Sequence, residues 1–92
     1  MTYETSTTLP PAEVLRRAKD FFATRVPATG AFLERESAGH VAFRGQGGEE
    51  IVIAAAPAAT GSTVRGSTLL FDQQVRRFFS TLDEAASGAA AP

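Results

Sequence analysis

His40 is the only histidine of the 92-residue chain, and its side chain is the one best suited to proton transfer near neutral pH. It follows Gly39 at a predicted hairpin turn, and Glu34 and Glu36 lie on the strand predicted before that turn. Alternation along a strand puts both glutamates on one face, where paired carboxylates can act as acid and base if they line a cleft. The more ordinary interpretation is a solvent face with cross-strand ion pairs, for example to Arg44.

The chain lacks the groups that several other chemistries require. It contains no Cys, which excludes disulfides, thiolate metal sites and a Cys nucleophile. A metal site would have to combine His40 with glutamates at no recognised ligand spacing, so we predict no metal and no other cofactor. Hydroxyls occur at Ser62, Thr63, Ser67 and Thr68, but no G-x-S-x-G sequence surrounds them, and we predict no catalytic residue.

Two local patterns resemble anion-binding sites. The string Gly45–Gly48 is rich in glycine, but a glycine loop cradles phosphate when it opens a helix, and here a strand is predicted to follow. The acidic pair Glu49–Glu50 would also repel phosphate, so we favour a hairpin turn. Arg16–Arg17 and Arg76–Arg77 would form a basic patch if two helices lay side by side, although acidic neighbours dilute it.

Composition limits the partners and the location of the protein. Residues 1–84 are predicted as one domain, because a chain of this length supports one hydrophobic core, and residues 85–92 as a disordered tail. The net charge of −1 provides no basic excess for a phosphate backbone, so no nucleic-acid partner is expected. The sequence starts without a signal-peptide pattern, and no apolar run approaches the roughly 18–20 residues of a membrane span. A cytoplasmic location without membrane contact is therefore predicted.

The first part of the chain predicts a strand and a helix. Alternation and β-branched residues indicate a strand over Tyr3–Leu9. A helix is predicted to begin at Pro10–Pro11. Proline is tolerated in a first helical turn, because the N–H that it lacks would have no hydrogen-bond partner within the helix. The helix is predicted to end before Pro27–Gly30. Its apolar stripe consists of Val14, Leu15, Ala18, Phe21 and Phe22.

The remaining chain predicts short strands and a final helix. The strands are Ala31–Glu36, His40–Arg44, Glu49–Ala56 and Ser62–Phe71. Their close spacing favours antiparallel hairpins, because a parallel crossover needs about a dozen residues. Pro57–Gly61 is predicted as a turn, and Asp72 as the N-cap of a helix with the stripe Val75, Phe78, Phe79 and Leu82. The fold class is thus α+β in the order β-α-β-β-β-β-α, with an antiparallel sheet of about five strands.

Two segments carry a resemblance to a known family. YETSTTLPPAEVLRRAKDFF, residues 3–22, resembles an opening strand that runs into a helix with proline at its start. GSTVRGSTLLFDQQVRRFFSTL, residues 61–82, resembles a closing strand that leads into a C-terminal helix. In this order they resemble the START-related helix-grip superfamily, which also contains the polyketide cyclases and the pollen-allergen fold. The chain would be a shortened member.

The resemblance implies a sheet that curls around the last helix, with small apolar ligands bound between the two. It supplies no catalytic residue. If the sheet instead wraps the first helix, the arrangement is closer to a cystatin-like grip, and both arrangements stay open at this point.

The leading functional hypothesis is motivated by the apolar character of both faces of Glu49–Ala56 in a chain with only two predicted helices, and by its aromatic content. Seven phenylalanines are more than one face of so small a two-layer domain needs. We therefore expect a non-enzymatic domain that binds a small apolar ligand between the sheet and the C-terminal helix, or forms a homodimer through the open sheet face. The residues expected around a ligand are Phe43, Ile51, Ile53, Leu70, Phe78 and Phe79.

Two alternative hypotheses belong to other classes. One is a protein-interaction module without a ligand, in which Arg76, Arg77 and the sheet edge meet an acidic partner. The other is a cyclase-like enzyme that uses His40 with Glu34 or Glu36. The absence of a second histidine and of any cysteine favours the non-enzymatic hypotheses.

Overall fold

A computed structural model describes residues 2–22, 32–45, 50–68 and 71–88. The chain has the predicted α+β fold, with five antiparallel strands and two helices in the order β-α-β-β-β-β-α. The elements are β1 (Thr2–Thr7), α1 (Pro11–Asp20), β2 (Phe32–Glu36), β3 (His40–Arg44), β4 (Glu50–Ala58), β5 (Gly61–Thr68) and α2 (Asp72–Gly88).

The strands lie in the order β1-β5-β4-β3-β2, so that β1 and β2 form the two edges of the sheet. Along β4, Ile51 and Ile53 are fully buried, whereas Val52 and Ala54 between them are partly exposed. This alternation defines an inner face, on which both helices pack, and an outer face. The sequence run Ile51–Ala56 predicts cover on both sides of β4, yet only its inner side carries helices within the described residues.

Helix α1 starts as the sequence predicts. Pro11 occupies the first helical position, and the carbonyl of Pro10 accepts hydrogen bonds from the N–H groups of Glu13 and Val14 at 3.0 and 3.1 Å. The helix is regular to Asp20, and the next residues on the chain, Phe21 and Phe22, are buried in the core. The predicted stop at residues 27–30 lies outside the described residues.

The ends of strands β1 and β4 differ from the predicted ones. Strand β1 ends at Thr7, two residues early, because the chain turns there and the N–H of Leu9 donates to Thr7 Oγ1 at 3.3 Å. The turn predicted at Pro57–Gly61 is present but shorter, since β4 continues to Ala58, β5 begins at Gly61 and only residues 59–60 form the turn. Strand β3 pairs with β4 only as far as Ala54, so Pro57 has a strand neighbour on one side alone, where a missing N–H is tolerated.

The end of strand β5 and the start of helix α2 also differ from the predicted positions. Strand β5 ends at Thr68 instead of Phe71, and Thr68 Oγ1 accepts a hydrogen bond from the Phe71 N–H at 3.2 Å. Asp72 was expected to cap α2 but is its first helical residue. Helix α2 is assigned as far as Gly88; residues 89–92 fall outside the described residues, and the disordered tail stays a prediction.

Aromatic rings fill the space between the helices and the sheet. The ring of Phe22 lies 5.2 Å from that of Phe43 on the sheet and 5.6 Å from that of Phe78 on α2. Phe21 is 5.6 Å from Phe78 in turn. These tilted contacts lie within the range of favourable aromatic pairs, and they join α1, the sheet and α2 in one core.

At Gly66, side chains of α2 reach the backbone of the sheet. Gly66 lies on the inner face of β5, and a Cβ atom built on it would be 2.6 Å from Cγ1 of Val75 and 3.2 Å from Cζ of Phe79. Both contacts are side chains of α2, so the helix rests directly on the backbone of the strand. Val75 is β-branched and restricted in its rotamers on a helix, and it has little freedom to move aside.

Replacement of Gly66 by Ala is therefore expected to destabilise the fold by about 1–3 kcal/mol, the usual cost of an added methyl in a packed core. The measurement is the free energy of unfolding in urea. Gly39→Ala is the matched control, because its Cβ would meet nothing closer than the Ala55 carbonyl oxygen at 4.0 Å. Equal stability of the two variants would contradict the proposed close packing.

Candidate functional site

Five of the six residues predicted to surround a ligand come together between the sheet and α2. Each is at most 9% exposed, and all belong to the core that α1 shares. They are Phe43, Ile51, Ile53, Phe78 and Phe79. Leu70 lies outside the described residues. The neighbours of these five residues are other side chains of the core, and their role around a ligand stays a prediction.

Three surface depressions lined by described residues lie away from this cluster. The largest, about 350 Å³, is on the outer face of the sheet, where Ala54, Ala56 and Thr63 form much of the lining with Glu4 and Arg65. It is shallow and lined mainly by small side chains. Its shape suits a broad contact better than the enclosure of a small molecule.

A β-bulge separates the two glutamates that were predicted to share a strand face. The register between β2 and β3 slips by one residue between Leu33 and Arg35, which leaves Glu34 as the extra residue. Glu36 then lies opposite Val41 on the inner face. The expected alternation, and with it the carboxylate pair, is lost, because a bulge arises from strand pairing that the sequence of one strand does not reveal.

The carboxylates of β2 are engaged in separate ion pairs. Glu34 accepts from Arg44 Nε at 2.8 Å, which confirms the predicted cross-strand pair, and Glu36 accepts from Lys19 of α1 at 3.0 Å. Arg35 reaches Glu50 on β4 at 2.9 Å. These contacts connect the edge strand β2 to its neighbours. They agree with the interpretation of the glutamates as members of a solvent face with ion pairs, which was the alternative to a catalytic role.

His40 is bound within its own turn. Its Nδ1 lies 2.6 Å from Ser37 Oγ, and that oxygen accepts hydrogen bonds from the N–H groups of Gly39 and His40 at 3.2 Å each. These three contacts to Ser37 Oγ hold the imidazole against its own turn. Sequence reasoning missed Ser37, although a serine at the start of a tight turn is a known signal for such bonds.

The arginine pairs are partly neutralised. Glu13 accepts hydrogen bonds from Arg16 and Arg17 at 2.6–2.9 Å, so one carboxylate serves both cations. The guanidinium of Arg76 lies 5.0 Å from the centre of the Tyr3 ring, within the range of a cation–π contact. Arg77 is exposed and lines a depression on α2.

Tyr3 joins the edge strand β1 to α2. Its hydroxyl donates to Asp72 Oδ1 at 2.8 Å, and that hydrogen bond is the main cause of a raised pKa of the phenol. Together with Arg76 over the ring, it holds β1 from the helix side. These contacts indicate a structural role for Tyr3.

Within the described residues, no three acidic, histidine or cysteine side chains are grouped so that they could hold a metal ion, and neither helix has the length and apolar character needed to span a membrane. No family model, curated protein or solved structure matches the chain. Its function is therefore argued from its own side chains and packing.

The Glu13 contacts predict how acid affects stability. The hydrogen bonds from Arg16 and Arg17 lower the pKa of Glu13 from 4.5 to about 2. Since the folded state lowers this pKa, the stabilisation is present above about pH 4.5 and is lost as the pH falls toward 2. We expect Glu13→Gln to lose less than about 1 kcal/mol at pH 7 and to weaken the dependence of unfolding free energy on pH in that window.

Glu4→Gln is the matched control for this experiment, because it removes an equal charge from the more exposed pair with Arg65. It should keep the acid-dependent loss of stability of the unmodified protein. A Glu13→Gln variant that loses stability with acid as steeply as the unmodified protein would count against the assigned role of Glu13.

Proposed function

We propose that the protein is a small non-enzymatic module that acts by self-association through its sheet. The observation that carries the proposal is the packing of the inner face, where aromatic rings of the core lie in contact and side chains of α2 reach the strand backbone at Gly66. The groups best suited to catalysis are engaged in ion pairs and turn contacts. The sheet then offers the surfaces for a partner, and a second copy is the partner that an open antiparallel sheet commonly meets.

The outer face supports this proposal through its small side chains. At its centre Val52 and Ala54 are partly exposed on β4, whereas Ala42 beside them on β3 is fully buried. Ion pairs flank this centre on either side, Glu4 with Arg65 and Arg35 with Glu50. Small side chains allow a second sheet to approach closely, and the charged side chains beside them are already ion-paired.

Light scattering over a wide range of protein concentration tests the proposal. We expect the mass to rise from 9.7 kDa toward twice that value, because two copies join through the sheet. Arg77→Glu serves as the control: Arg77 is exposed on α2, away from the sheet, so the dimer should persist. A mass of one chain at every concentration would refute self-association.

A second candidate function is the binding of a small apolar molecule between the sheet and α2, as the helix-grip resemblance implies. Its support is the convergence of the five predicted residues at that place. It ranks second because a ligand there would have to widen the contact at Gly66, where the strand backbone and Val75 already touch.

Native mass spectrometry of freshly purified protein separates the two candidates. Under the second candidate, the folded chain carries an additional mass that disappears when the same sample is denatured, since a non-covalent ligand is released on unfolding. A folded chain with the polypeptide mass alone would argue against a bound molecule.

The other hypotheses have less support. An acidic partner at Arg76 and Arg77 would compete with the contact between Arg76 and Tyr3. A cyclase-like site would require His40 and a glutamate to leave their present partners. The predicted cytoplasmic location stays a prediction.

A further inference from the structure

The two edges of the sheet differ in how well they resist pairing with another chain. Strand β2 carries a bulge at Glu34, and its last three residues, Glu34–Glu36, are all charged and ion-paired. Bulges and charges are the features with which natural sheets discourage edge-to-edge contact. Strand β2 is thus protected.

Strand β1 has no bulge and little charge. Its six residues, Thr2–Thr7, pair with β5 in an unbroken register and contain no proline, no lysine and a single charge, at Glu4. Among the described residues β1 has a strand neighbour on one side only. Tyr3 holds it from the helix side through Asp72 and Arg76, so its backbone is kept extended. An extended and regular edge is a template for strand addition.

We propose that β1 pairs antiparallel with β1 of a second copy and so forms a continuous sheet of ten strands, five from each copy. This inference rests on the proposed self-association and assigns the contact to the β1 edge instead of the outer face. It differs from face-to-face packing because the contact consists mainly of backbone hydrogen bonds at the edge, with the outer faces left in solvent.

Symmetry and charge select the register of this pair. Opposite residues of an antiparallel pair point to the same face of the sheet, whereas neighbouring residues of one strand point to opposite faces. In a two-fold pair of identical strands, the residue at the axis must therefore lie opposite its own copy, and the axis cannot lie between two successive residues. The two registers with the greatest overlap centre on Glu4 and on Thr5. A centre on Glu4 places two carboxylates directly opposite each other, which is destabilising. A centre on Thr5 places Glu4 opposite the partner's Ser6 and is the expected register.

The absence of cysteine from the chain makes this register testable by cross-linking. Opposite Cα atoms in an antiparallel pair lie about 4.5–5.5 Å apart, within the reach of a disulfide. A Thr5→Cys variant should therefore form a covalent dimer under mild oxidation, seen on a non-reducing gel. Ala54→Cys, at the centre of the outer face, is the control and should stay monomeric on that gel.

A second pair of variants tests the register without relying on Thr5, which is partly buried. Glu4→Cys mixed with Ser6→Cys should give a mixed disulfide, identified by its mass, because these positions face each other only in the register centred on Thr5. Ser6→Cys alone is the control and should stay monomeric; Glu4→Cys alone is not a control, because it removes the carboxylate repulsion that disfavours the register centred on Glu4. Both residues are exposed on the outer side, so the fold should tolerate the changes; the urea midpoint of each variant checks this.

Each outcome decides between the edge contact and the broader proposal. Cross-linking at Thr5 and in the Glu4–Ser6 mixture, without cross-linking at Ala54, supports the edge pair. A dimer in light scattering that cross-links at Ala54, or at none of these positions, overturns the edge pair and leaves self-association standing. A monomer at all concentrations overturns both.

Discussion

The contact between helix α2 and the backbone of strand β5 at Gly66 is the constraint on which the rest of the molecule depends. Because Gly66 has no side chain, Val75 and Phe79 reach the strand itself. Helix α2 therefore packs close to the sheet, and the ring of Phe78 contacts the rings of Phe21 and Phe22, which follow α1. Both helices share the inner face, and their aromatic rings pack against each other there.

The same packing determines how the sheet edges are presented. Helix α2 holds β1 through Tyr3, whose hydroxyl binds Asp72 and whose ring carries Arg76. Strand β2 lies at the opposite edge and is fastened by ion pairs instead, among them Glu36 with Lys19. One edge is thus regular and weakly charged, and the other is bulged and charged. Under the proposed pairing, this asymmetry leaves β1 as the edge at which another strand can add. A two-fold pair occupies the β1 edge of both copies, so no third copy adds there.

The order and type of all seven elements could be predicted from the sequence, because hydrophobic periodicity and turn residues act locally. Strand ends could not, since Pro57 stays in β4 only because β3 has already ended beside it. The separation of Glu34 from Glu36 depends on a bulge in the pairing of two strands. The importance of Gly66 was also hidden, because the pattern of β5 does not reveal which face is buried. The burial of five of the six residues expected around a ligand could be predicted, because burying large hydrophobic side chains is favourable wherever the sheet forms.

The most direct test of the account is amide hydrogen exchange of strand β1 at low and high protein concentration, followed by mass spectrometry of peptides that cover residues 2–7. The account predicts that exchange in β1 slows as concentration rises, because its outward N–H groups become bonded to a second copy, whereas exchange in β2 stays the same. Exchange in β1 that does not depend on concentration, or slowing confined to other elements, would contradict the claim that this edge is where the protein meets its partner.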